Sequence, residues 1–173
     1  MEFFFSTHLP PAFKGRPVLI SGPDSEQLQQ AEYLIPAGEE PTRVFKIKFS
    51  NHCSPFKQAE MMGEYLLAGH EEHFYFFNTS RGELVFKQNM NGYFGRFYSD
   101  NEFLYIADAS GLHCITRNGK MSWQNNSLGV DGVVINQISD DSIYGSGEWD
   151  PPGGWKDFVL DKKSGLLLHS SSS

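Results

Sequence analysis

"TRNGKMSW", residues 116–123, decides how this chain is read. Asn118-Gly119 between a polar stretch and an apolar run is a strong hairpin signal, because a tight turn needs a residue at positive φ and glycine takes it without a steric penalty. The same arrangement occurs in "TSRGELVF", residues 79–86, and in "DKKSGLLL", residues 161–168. Gly82, Gly119 and Gly165 each stand just before a short apolar strand, 37 and 46 residues apart. Working outward from each glycine, apolar runs of four to seven residues, rich in Phe, Tyr, Val and Ile, are bounded by turn residues, which is a strand pattern.

Three units stack on these glycines: 43–90, 93–126 and 131–169. The first opens on "FKIKFS", passes a long insert and continues through "GEYLLAGHEEHFYFFNTSRGELVFKQ". Each unit offers four strands. In the second and third units the first two strands are joined by "SDN" before Glu102 and "SDD" before Ser142. A four-strand unit repeating near every forty residues predicts an all-β chain of consecutive four-stranded antiparallel, blade-like sheets. Residues 1–42 do not repeat clearly and form an atypical N-terminal part of a single domain spanning 1–169, with 170–173 expected as a disordered tail. Two helical turns are also expected: over "SPFKQAEMMGEYL", with Ser54 as N-cap and Pro55 first in the helix, and over "PDSEQLQQAEYLI", capped by Ser25.

The Asn-Gly-x-x-x-Trp ending at Trp123, with the apolar strand before it, resembles the repeats of quinoprotein-like and WD40-like β-propellers across residues 43–169. The resemblance implies an open half-propeller, its flanks covered by the N-terminal residues, or a small ring of about four blades. The Gly-His…Trp-Asp pair of WD repeats is missing, and only the second unit ends in Trp. Propeller blades serve many functions, so the likeness speaks to architecture.

The 173 residues carry 21 acidic and 14 basic side chains, a net charge of -7. That balance argues against nucleic acid, whose phosphates reward Lys and Arg, and suits a basic partner. No apolar run reaches membrane-spanning length. "MEFFFSTHLPP" lacks the basic start and cleavage site of a secretory signal, so a cytoplasmic protein with Cys53 and Cys114 reduced is expected. Phosphate loops, nucleophile elbows and zincin motifs are all missing, and no catalysis or cofactor is expected. His52-Cys53 and His113-Cys114 would need all four side chains to meet around one ion, but neighbours on a strand point to opposite faces, so no metal is expected either.

One stretch stands apart: "YGSGEWDPPGGWKDFVLD", residues 144–161. Pro151 and Pro152 bar a central strand, and the two glycines after them let the chain turn back. On the returning strand, Phe158 and Leu160 form the inward face and leave Trp155, Asp157 and Val159 outward. Trp149 is placed to stack on a proline. A rigid aromatic loop rimmed by Glu148, Asp150 and Asp157 predicts a protein-contact patch, with Glu148, Trp149, Asp150, Trp155 and Asp157 as its residues. The expected function is non-catalytic protein binding. Small acidic proteins with atypical propeller-like repeats resemble immunity proteins of bacterial polymorphic toxin systems, which implies a cognate toxin, such as a basic nuclease, as partner. The alternatives are a carbohydrate-binding module or a glycoside-type enzyme using Trp149 and Trp155.

Overall fold

The computed structural model describes residues 1–38 and 41–170. Sixteen strands occupy them: β1 Phe3–Ser6, β2 Val18–Leu19, β3 Gln30–Pro36, β4 Phe45–Phe49, β5 Lys57–Met62, β6 Tyr65–His70, β7 His73–Asn78, β8 Glu83–Asn89, β9 Phe94–Ser99, β10 Phe103–Asp108, β11 Leu112–Thr116, β12 Met121–Asn125, β13 Val133–Ile138, β14 Ser142–Glu148, β15 Trp155–Asp161 and β16 Leu167–Ser170. They form four consecutive four-stranded sheets. The second (β5–β8), third (β9–β12) and fourth (β13–β16) follow chain order. The first has the order β1-β3-β4-β2, with β2 parallel to β4. Helix among the described residues is confined to a 3-10 turn at Pro23–Ser25, so none is long and apolar enough to cross a membrane.

Gly82, Gly119 and Gly165 adopt φ of +71°, +84° and +69°. The turn chemistry read at these three positions is therefore the conformation they hold. At Gly165 space matters too, since a Cβ would fall 2.3 Å from the Trp123 ring.

Three expectations are corrected. Both helical segments are strands: 54–66 runs through β5 into β6, and 23–35 becomes the 3-10 turn and β3. Lys57–Met62 pairs in register with Tyr65–His70, and this hairpin places Leu66 and Ala68 in an apolar interior, a larger gain than local helix propensity offers. Second, Phe45–Phe49 pairs with β3 in the first sheet, and β5, within the supposed insert, takes its place in the second. Residues 1–42 thus supply β1, β2 and β3 of a first sheet that β4 completes, and Glu2 bridges Glu60 on the edge strand of the second. Third, Ser170 ends β16, and 171–173, the rest of the expected tail, lie outside the described residues.

The chain forms two compact units, Met1–Gln88 and Asn89 onward. In the first, Leu34, Phe45, Ile47 and Phe49 of the first sheet pack with Leu66, Ala68, Tyr75 and Phe77 of the second. In the second unit, Phe103, Tyr105, Ala107, Cys114 and Trp123 of the third sheet pack with Val133, Ile135, Ile143, Phe158 and Leu160 of the fourth. The every-other-residue spacing along β4, β10 and β15 is the strand period turning one face inward. Trp123 ties its two sheets together: its indole N–H donates to Lys162 O at 3.0 Å, and Asn125 Nδ2 donates to Gly165 O at 2.8 Å.

Candidate partner-binding loop

The β14–β15 hairpin pairs Glu148 with Trp155, Gly147 with Lys156, Ser146 with Asp157, Gly145 with Phe158 and Tyr144 with Val159. Directly paired residues share a face. Phe158 and Leu160 are buried and Trp155 is 46% exposed, so the inward and outward faces are those expected from the alternation.

The loop is fastened from within. Trp149 N–H donates to Gly154 O at 2.9 Å, and Gly154 N–H donates to Asp150 O at 3.0 Å. The Glu148 carboxylate accepts the Gly153 N–H at 2.6 Å. The Pro151–Pro152 bond is cis, and Gly153 sits at φ +96°. At Gly154 a Cβ would lie 2.6 Å from Asp150 Cβ and 2.8 Å from Asp150 N, so only glycine closes the loop this tightly.

Trp149 and Trp155 have separate surroundings. The Lys156 ammonium lies 5.9 Å from the centre of the Trp149 ring, a cation–π contact. At an exposed site such a contact contributes about 0.5–1 kcal/mol. The Trp155 ring instead lies against Gly132, where an added Cβ would meet the ring at 3.4 Å and, separately, the Tyr93 hydroxyl at 3.7 Å. Tyr93 O–H donates to Asp131 O at 2.6 Å, and burial, with Asp131 close by, raises its phenol pKa. Trp149 nevertheless remains 41% exposed.

The acidic rim is divided. Glu148 holds the loop, and Asp157 accepts the Ser146 hydroxyl at 2.7 Å, itself bonded by Asn136 Nδ2 at 2.9 Å. Asp150 is exposed at the tip. The structure therefore brings all five predicted residues to one hairpin end and adds Tyr93, Asp131, Gly132 and Lys156. Nothing in the local sequence joins Tyr93 to Asp131, which is 38 residues away.

The buried polar groups elsewhere are used as scaffold. Asp108 accepts the backbone N–H groups of Asn91, Ser110 and Gly111 and the ring of His113 at 2.7–2.9 Å, all within the third sheet's unit. Burial pushes the Asp108 carboxyl up, but His113 and these amides outweigh it and hold it below its ordinary range. Glu32 binds Lys57 at 2.7 Å and His70 at 2.9 Å in the first unit and is lowered in the same way. His70 is lowered by its burial, which keeps it neutral. With their oxygens occupied and largely out of reach of solvent, Asp108 braces the turn that follows β10 and Glu32 ties β3 to β5 and β6.

His52 lies beside Glu71 Oε1 at 3.1 Å, and the other oxygen of Glu71 accepts Cys53 N–H at 2.6 Å. Cys53 and Cys114 are both free. Cys53 is exposed, but partial burial, then Glu71, pushes its thiol up to about 12, and full burial pushes Cys114 to about 12, so both are protonated at neutral pH. Among the described residues, no three His, Cys, Asp or Glu side chains gather to hold a metal ion.

No family model matches this chain, and no curated protein sequence matches it. Among solved structures it is similar to the crystal structure of BamB from Moraxella catarrhalis, a β-propeller, with a TM-score of 0.51 at 12% identity over 83% of this chain and 44% of that one. The chain thus spans less than half the length of that protein. At this identity the likeness concerns the fold, and together with four consecutive four-stranded sheets it makes the chain propeller-like.

Proposed function

We propose that the chain is a non-catalytic protein-binding module that docks through the β14–β15 loop, most concretely an immunity protein neutralising a cognate bacterial toxin of basic character. The observation that carries the reading is a loop preset by its own hydrogen bonds while its two indoles stay 41% and 46% exposed. Such a surface loses little conformational freedom on docking, and exposed Trp is the residue type that dominates interface energies. The net charge of -7 supports a basic partner. Separate surroundings for the two indoles favour a protein contact over a flat two-ring platform for sugar.

The test is to pair the chain with the toxin encoded beside its gene. Trp149→Ala should weaken binding by about 2 kcal/mol or more without changing the fold. Asp150→Lys, which leaves the Glu148–Gly153 bond in place, should slow association, and raising salt should slow it for the parent chain. An affinity indifferent to Trp149→Ala would place the contact elsewhere.

A further inference from the structure

Two sheet faces stand open, and they are unlike each other. The first sheet's outward face carries Phe4 opposite Ile35, Tyr33 opposite Lys46, and Ala31 opposite Lys48, with Leu19 beside Lys46. Phe4 is 63% exposed, and Tyr33, Ile35, Lys46 and Lys48 are partly exposed. No Asp or Glu occupies an outward strand position there. Lys46, Lys48 and Arg16 surround a cavity of about 420 Å3 with Leu19, Pro17 and Glu26. The fourth sheet's outward face carries Tyr144 opposite Val159, Ser146 opposite Asp157, and Ser142 opposite Asp161. Tyr144 is 42% exposed, and no Lys or Arg stands at an outward position of β14 or β15.

We propose that these faces are the two halves of one interface, through which a second copy of this chain docks head to tail, the first sheet of one copy on the fourth sheet of the other. Two observations converge. Both faces mix aromatic and aliphatic side chains left to water, the composition of a sheet surface that is normally covered. Their charges are opposite, so the first sheet's face repels another first-sheet face and attracts the fourth. The interface goes beyond the loop reading and does not depend on it: its centre is the Tyr144–Val159 row, and Trp149 is not needed.

Sedimentation of the intact chain at micromolar concentrations tests this. The expected result is a particle of two or more chains that dissociates as salt rises. Lys46→Glu with Lys48→Glu should weaken self-association at least about tenfold, and so should Tyr144→Lys, both with unchanged circular dichroism. Tyr144→Ser serves as a milder variant should the lysine disturb the sheet. A one-to-one mixture of the two charge variants should associate again, because each supplies the face that the other lost. Trp149→Ala should leave self-association unchanged, which separates this result from toxin binding. A parent chain that is monomeric at every concentration, an assembly broken by only one of the two variants, or a mixture that stays monomeric would overturn the proposal.

Discussion

The three tryptophans of this chain do different work, and their surroundings say which. Trp123 is 8% exposed, packs against Tyr105 and the Gly165 turn, and spends its N–H on Lys162 O. Trp123→Ala removes a large side chain from between two sheets and leaves a buried carbonyl unpaired, so it should cost about 3–5 kcal/mol in urea unfolding. Trp149→Ala removes a half-exposed ring with a single cation–π contact, and its stability change should stay within about 1 kcal/mol. A large loss for Trp149→Ala would make the loop a structural plug. The sequence alone marked Trp123 only as the end of a repeat. What identifies it as the brace is a bond to a residue 39 positions away, which no local pattern carries.

At the scale of elements, legibility followed sequence distance. The glycine turns were legible because φ > 0 is a local demand, and the inward face of 155–161 because alternation is local. The first sheet was not, because β4 pairs with β3 on one side and with β2 in parallel on the other, and neither pairing leaves a turn signature at "FKIKFS". The two expected helices had good caps and fair spacing, but their apolar residues are bought into sheets by partners that lie outside the window being read. The loop was legible as an element and not as a set of neighbours: Gly132, which the Trp155 ring lies against, and Tyr93 beyond it belong to other segments. Gly154→Ala tests the loop as a unit. The added methyl meets Asp150 backbone and side chain, so the loop must open, and binding should weaken as much as for Trp149→Ala while the melting temperature moves by only a few degrees. A variant that binds normally would show that the preset conformation is not used.

For the whole molecule, the buried carboxylates Glu32 and Asp108 and the histidines His70 and His73 act in one direction. Glu32 and Asp108 have folded pKa values below the ordinary carboxylate range, so the stability they add is complete above that range and is lost as pH falls through their folded values. His70 and His73 are also depressed, by burial, the latter to about 4 from 6.5. The unfolded chain takes up those protons first, so stability is lost as pH falls below about 6.5, down to about 4 for His73. The urea midpoint should be flat from pH 7 to about 8 and decline steadily below 6.5. His73→Gln should flatten the upper part of that decline. A midpoint that rises on acidification would contradict the assignment.

The crossed order of the first sheet has a consequence in time. Strands β5 to β16 each lie beside their immediate predecessor or successor, so those three sheets close through short loops. β2 must wait for β4, held by Val18 N–H to Val44 O and Ile20 N–H to Lys46 O, and β1 must reach past it to β3. Contacts that span more chain close more slowly. In pulse-labelled refolding, the amides of Val18 and Ile20 should gain protection after those of β6 and β7, and simultaneous protection would show that the sheets form as one. Translation runs from N- to C-terminus, so β1 and β2 leave the ribosome before the strands that hold them and are secured only after those strands arrive.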